Sequence, residues 1–171
     1  YSFKVIVLYH GGEPFLNRNF SKMVKKLRPL ADTIKTVTNG SLLNESIIDQ
    51  ILDSGIDIVE FSLDGQSPEE NDKVRVGGNF FKISENIKKL VIARNNRNLS
   101  KPEIYISNIQ FPKDVHQLDK IEVPQYLKNT FKEIGDDIQY KLAYAMAWPG
   151  LTINPQPSKI RSEEHTSELQ S

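Results

Sequence analysis

Apolar positions along the chain alternate between two periods. Lys4 to Tyr9 is continuous and β-branched, reads as a buried strand, and is closed by Gly11-Gly12. Phe20, Met23, Val24, Leu27 and Leu30 then fall at helical spacing, with Lys22, Lys25, Lys26 and Arg28 on the opposite, solvated face. Ile34 to Thr38 is a short strand ended by the turn pair Asn39-Gly40. Ser41 or Asn44 can cap a helix with the inner stripe Ile47, Ile48, Ile51 and Leu52, which stops at Gly55. The strand Ile56 to Leu63 follows, closed by Asp64-Gly65, and a polar loop runs to Gly77-Gly78. Ile83, Ile87, Leu90 and Val91 mark a further helix, Glu103 to Gln110 a strand, and Tyr126 to Ile134 a last helix. Ile138 to Ala147 reads as a strand stopped by Trp148-Pro149-Gly150, and the proline-rich text to Ile160 is loop.

Strands that alternate with helices predict an α/β fold with a parallel sheet covered by helices. Right-handed crossovers put the carboxyl end of every strand on one side, and function in such sheets gathers there. Five strands are visible, so an eight-stranded barrel would need further residues, and the pattern leaves closure open. Residues 1–150 form the one domain expected, followed by a loop over 151–160.

Both ends change this picture. Tyr1 opens the chain inside a strand-like run, so the chain is expected to be an internal piece of a longer protein. Arg161 to Ser171 has no apolar periodicity and matches the translation of a common short-read sequencing adapter, so 161–171 is expected to be a non-native tail and is set aside. Of 22 basic and 22 acidic residues, 21 and 19 remain without it, a balance that argues against nucleic acid or an acidic membrane surface as partner. No apolar run approaches the ~20 residues that span a bilayer, and a cytoplasmic location is expected. With no cysteine, these residues offer neither disulfide nor thiolate ligand nor thiol nucleophile.

Polar residues gather at the strand ends. His10-Gly11-Gly12-Glu13-Pro14 combines a sharp turn, backbone open to a ligand, a carboxylate suited to an ammonium group, and a proline that fixes entry into the next element. Thr38-Asn39-Gly40 and Ser62-Leu63-Asp64-Gly65 add hydroxyl, amide and carboxylate groups suited to a ribose or an amino-acid head group. Local turn bonding by Asn, Asp and Ser is the plain alternative for each. Asp72-Lys73-Val74-Arg75 offers a guanidinium for a ligand carboxylate, or simply a solvated charge. His10 and His116 lack metal-ligand company, no nucleophile elbow or P-loop occurs, and no residue of the chain is assigned to a metal. Each N-x-S triplet, at Asn19, Asn39, Asn44 and Asn98, is read as chance.

In this order the motifs Gly11-Gly12-Glu13-Pro14, Thr38-Asn39-Gly40, Ser62-Leu63-Asp64-Gly65 and Asp72-Lys73-Val74-Arg75 resemble the radical S-adenosylmethionine (radical SAM) enzymes over about Lys4 to Arg94. The likeness is strongest to the group with a cysteine-rich, SPASM-type C-terminal domain, which includes peptide-modifying and sulfatase-maturing enzymes. It implies a partial (β/α) TIM-type barrel with parallel strands, truncated here at both ends. It also implies S-adenosylmethionine beside a four-iron four-sulfur (4Fe-4S) cluster, reductive cleavage to a 5′-deoxyadenosyl radical, and hydrogen abstraction from a substrate that includes peptides in some members. An electron donor such as flavodoxin or ferredoxin belongs to the same picture. Carried over by motif, Gly11, Gly12, Glu13 and Pro14 would cradle the cofactor's amino group, and Asn39 would sit on the same rim. Ser62 would meet its ribose or carboxylate region, Asp64 would shape the turn, Arg75 would pair with its carboxylate, and Leu142 to Met146 would face adenine.

One departure bears on activity. The family's CxxxCxxC loop precedes the first of these motifs, and no such loop lies within this chain. The cluster ligands are therefore expected upstream of Tyr1, and these residues alone are expected to be inactive. A cluster-free barrel of the same ancestry, kept as a binding or scaffold module, and an unrelated α/β barrel with fortuitous rim motifs are the alternatives.

Overall fold

The computed structural model describes residues 2–111 and 121–145. Strands β1 (Phe3–Val7), β2 (Ala31–Thr38), β3 (Ile58–Ser62), β4 (Glu103–Gln110) and β5 (Ile138–Tyr144) form one sheet in the order β1-β2-β3-β4-β5. Every neighbouring pair is parallel, and the sheet curls into half a barrel. The α/β reading and the partial barrel both hold.

Helices α1 (Phe20–Leu27), α2 (Glu45–Ser54), α3 (Pro68–Val74), α4 (Phe80–Asn96) and α5 (Gln125–Thr130) link the strands. Asn44 caps α2, its Oδ1 accepting from the Ile47 amide, and Gly55 ends the helix in the left-handed region. The core lies between the sheet's convex face and these helices. Ile34, Val59, Phe61, Ile104 and Ile106 of the strands meet Ile51, Ile83, Ile87 and Leu90 of the helices, all buried. Each such side chain contributes about 1.5–3 kcal/mol. Alternation puts Lys35, Glu60, Tyr105 and Lys141 on the opposite, concave face.

Four expectations need correction. The run to Gly77-Gly78 is not all loop: Ser67 accepts from the Glu70 amide and starts α3 with Pro68 in its first turn. Lys4 to Tyr9 is not buried on both faces, because β1 is an edge strand whose Phe3, Val5 and Val7 stay exposed while Ile6 and Leu8 pack inward. Met23 and Leu30 are likewise exposed; Met23 meets the Asn17 side chain rather than the core, and Leu30 follows Pro29 in a 3-10 helix after α1. The segment from Tyr126 to Ile134 splits into α5 and a 3-10 stretch, Lys132–Asp137. The loop over 151–160 and the tail over 161–171 lie outside the described residues, as do His116, Met146 and Ala147.

Candidate functional site

The carboxyl ends of β1, β2 and β3 carry the expected residues, and their turns explain why. Gly11 takes a positive φ of 63°, and a Cβ built at Gly11 or Gly12 would meet no atom within 4 Å. Main-chain groups there can therefore be approached closely by a ligand. Gly40 is required for the opposite reason. At φ 71°, its missing Cβ would lie 2.9 Å from Ile83 Cγ2 and 3.1 Å from Phe61 Cδ1.

Glu13 is half-buried and bridges two strand ends. Its Oε1 accepts from the Thr38 hydroxyl at 2.7 Å and the Phe15 amide at 3.3 Å, and its Oε2 accepts from the Asn39 amide at 2.9 Å. A carboxylate offers about four acceptor positions, so one is left for an incoming ammonium group. Pro14 opens the 3-10 turn that Glu13 caps. The Asn39 side chain closes a local turn by accepting from the Ser41 amide at 2.9 Å.

Asp64 is the hub of the β3 end and is buried. Its Oδ1 accepts from the Ile109 amide at 3.0 Å, its Oδ2 from Arg75 Nη2 at 2.5 Å, and its own amide donates to Asn71 Oδ1 at 3.0 Å. Arg75 caps the end of α3, which is why eleven residues of chain return it to β3. The Arg75 guanidinium is mostly buried, and its Nε has no hydrogen-bond partner among the described residues. A buried donor without an acceptor costs roughly 1–3 kcal/mol, so an acceptor brought to this nitrogen would be favoured. Ser62 sits half-buried on the concave face beside Ser107, its register partner on β4.

The structure thus gathers Asp64, Arg75 and Ser62 at one strand end, and Glu13 with Asn39 at the neighbouring pair. On β5, Leu142 pairs with Asn108 and Ala143 with Ile109. His10 is exposed.

Several supporting residues escaped the sequence reading. Asn71 is fully buried and donates to Asp72 Oδ1, which in turn accepts from the Phe80 amide that starts α4. Asn108 is fully buried and donates to the Leu63 and Gly65 carbonyls at 2.6 and 2.9 Å. The Tyr126 hydroxyl donates to the Asp64 carbonyl at 3.2 Å. Burial first, then the Asp64 carboxylate, raises the Tyr126 phenol above the ordinary tyrosine range. The available signal was an amide on the buried register of β4, where Ile104 and Ile106 precede Asn108 and Gln110.

A model of the Radical SAM superfamily matches residues 2–106. The chain belongs to the radical SAM superfamily. It is 30% identical over 126 residues to the tungsten-containing aldehyde ferredoxin oxidoreductase cofactor-modifying protein of Pyrococcus furiosus, covering 72% of this chain and 35% of that protein. It is 34% identical over 82 residues to a probable GTP 3′,8-cyclase of Methanococcus maripaludis, covering 47% of this chain and 27% of that one. The chain therefore spans about a third of the length of these curated relatives. Its fold resembles Streptococcus suis SuiB, solved with precursor peptide SuiA, at a TM-score of 0.54 and 15% identity over 82% of this chain and 28% of SuiB.

Membership brings S-adenosylmethionine and a 4Fe-4S cluster as the general cofactors. The rim fits the first: an orphaned guanidinium donor, a serine on the concave face and an open glycine backbone suit a carboxylate, a ribose and an ammonium group. The cluster finds no thiolate in this chain, and no group of His, Asp and Glu among the described residues could hold a metal ion. No helix among the described residues is long and apolar enough to cross a membrane.

Proposed function

We propose that this half-barrel is the S-adenosylmethionine-orienting part of a radical enzyme that takes a hydrogen atom from its substrate. The observation that carries the reading is the buried, unpartnered Nε of Arg75 at the end of β3. Asp64 fixes one edge of the guanidinium, which leaves further donors for the cofactor's carboxylate. The remaining acceptor position on Glu13 and the exposed Gly11-Gly12 backbone receive its amino group, with Pro14 holding the turn. Ser62 hydrogen-bonds the ribose, and Asn39 holds Glu13 through its amide. When bound beside a reduced 4Fe-4S cluster, the cofactor supplies a 5′-deoxyadenosyl radical. This chain's contribution is binding and orientation, with water kept from the reacting atoms.

The cluster's thiolates must come from outside these residues, together with an electron donor such as flavodoxin or ferredoxin. The substrate class that goes with the SPASM-type likeness is a peptide. In the full-length protein, Ser62→Ala and Arg75→Gln should each weaken S-adenosylmethionine binding measured by calorimetry. Unchanged affinity in both would overturn the assignment. The residues 1–171 alone, reconstituted anaerobically with iron and sulfide, should develop no visible cluster absorption and cleave no cofactor.

A further inference from the structure

The concave face carries an ionic arrangement that the rim does not use. Lys35 of β2 and Lys141 of β5 both point their ammonium groups at one oxygen of Glu60 on β3. Glu60 Oε2 lies 3.6 Å from Lys35 Nζ and 2.6 Å from Lys141 Nζ. The Lys141 ammonium also lies 4.4 Å from the centroid of the Tyr105 ring on β4, a cation–π contact. Glu60 is buried, whereas the Lys141 side chain remains 41% exposed and so stays reachable from solvent.

The charges do not cancel. Among the described residues, two ammonium groups face one carboxylate, which leaves a net single positive charge between strands that lie on either side of β3 and β4. Each ammonium group carries three donors, and among the described residues Glu60 Oε2 is the acceptor that Lys141 bonds. A cluster that only filled the barrel would be expected to balance, as Arg28–Asp57 does at the other end of the sheet. Glu60 precedes Ser62 by two residues on the same face, while Lys141 stands level with Ser62 through Ser107 of β4, so the cluster runs from the rim into the barrel.

We propose that Lys35 and Lys141, held apart and oriented by Glu60, form a subsite for a carboxylate of the substrate. A monoanionic carboxylate neutralises the excess charge, while a phosphate dianion would leave an unbalanced negative charge beside Glu60. The face of Tyr105 keeps the Lys141 ammonium in place while its free donors turn to the ligand. None of these residues is assigned a contact with the cofactor, so this inference is tested apart from that reading.

The probe is acetate, titrated at constant ionic strength into full-length protein labelled at the lysine ε-carbons, with chloride and inorganic phosphate as comparisons. Acetate should shift the Lys35 and Lys141 signals saturably and leave that of Lys88 on the outer helix face unmoved. Lys141→Gln should weaken the effect at Lys35 by roughly tenfold. Glu60→Gln should do the reverse and tighten acetate binding by roughly tenfold, because the internal competitor loses its charge. If Glu60→Gln does not fold, Lys35→Gln replaces it and should weaken the effect at Lys141 as Lys141→Gln does at Lys35. Shifts that never saturate, that chloride reproduces, or that phosphate produces at lower concentration than acetate would overturn the proposal. So would an unchanged affinity in Lys141→Gln.

Discussion

Both ends of this sheet are tied by part-buried arginine–aspartate pairs, and they are tied differently. At the amino end of the strands each guanidinium is held by several acceptors. Arg94 donates from Nε to Asn95, from Nη1 to the Pro102 carbonyl, and from Nη2 to Asp137 and Asn95. Arg28, expected on the solvated face of α1, instead reaches Asp57 and the Ala31 and Asp32 carbonyls. These pairs sit just before β2, β3 and β5 and hold the strand starts in place. At the carboxyl end, Arg75 makes one bond to Asp64 and buries an Nε with no acceptor. An arginine held by several acceptors reads as architecture, whereas Arg75, with one acceptor and a buried unpaired Nε, is the one we propose for a ligand. The positions agree with the general rule that parallel α/β sheets are stabilised at one end and used at the other.

Substitution should separate the two ends. Arg94→Ala strands Asp137 and the Pro102 carbonyl, and should lower stability by about 3 kcal/mol in urea unfolding, with cofactor affinity falling only as folded protein is lost. Arg75→Gln keeps an amide donor for Asp64 and removes an unsatisfied one, so it should cost less stability than Arg94→Ala, yet weaken S-adenosylmethionine binding by roughly 10- to 100-fold. If Arg75→Gln costs as much stability as Arg94→Ala, the contrast between the ends fails.

Smaller effects sharpen the contrast. Tyr126→Phe loses the bond to the Asp64 carbonyl and should cost about 1 kcal/mol. The raised phenol keeps its proton in the folded state after the unfolded chain would lose it. Its contribution is therefore complete below about pH 10 and is lost as pH rises from there through the folded value. The alkaline fall in unfolding free energy should be shallower in Tyr126→Phe than in the parent. Arg97→Ala breaks exposed pairs to Asp49 and Asp53, and should cost no more than about 0.5 kcal/mol.

The sequence made the sheet legible because buried strands and amphipathic helices announce themselves by period, and β4 was bounded at Glu103 and Gln110 as found. Helix α3 escaped because Pro68-Glu69-Glu70-Asn71-Asp72-Lys73 offers no apolar stripe; its capping serine and first-turn proline make it a helix. The rim motifs were legible in order, since each is a local turn. Their pairings were not, because Asp64 meets Arg75 across α3 and Ile109 across a strand, and Glu13 meets Asn39 twenty-six residues on. The supports Asn71, Asn108 and Tyr126 reach their partners only in the folded chain.

The most direct test of the rim's role compares two ligands on full-length, cluster-loaded protein: S-adenosylmethionine, and 5′-methylthioadenosine, which lacks the carboxylate. In the parent, calorimetry should show a strong preference for S-adenosylmethionine. Arg75→Gln should cut that preference by at least roughly tenfold while leaving 5′-methylthioadenosine binding unchanged. Equal weakening for both ligands, or an intact preference, would contradict the account.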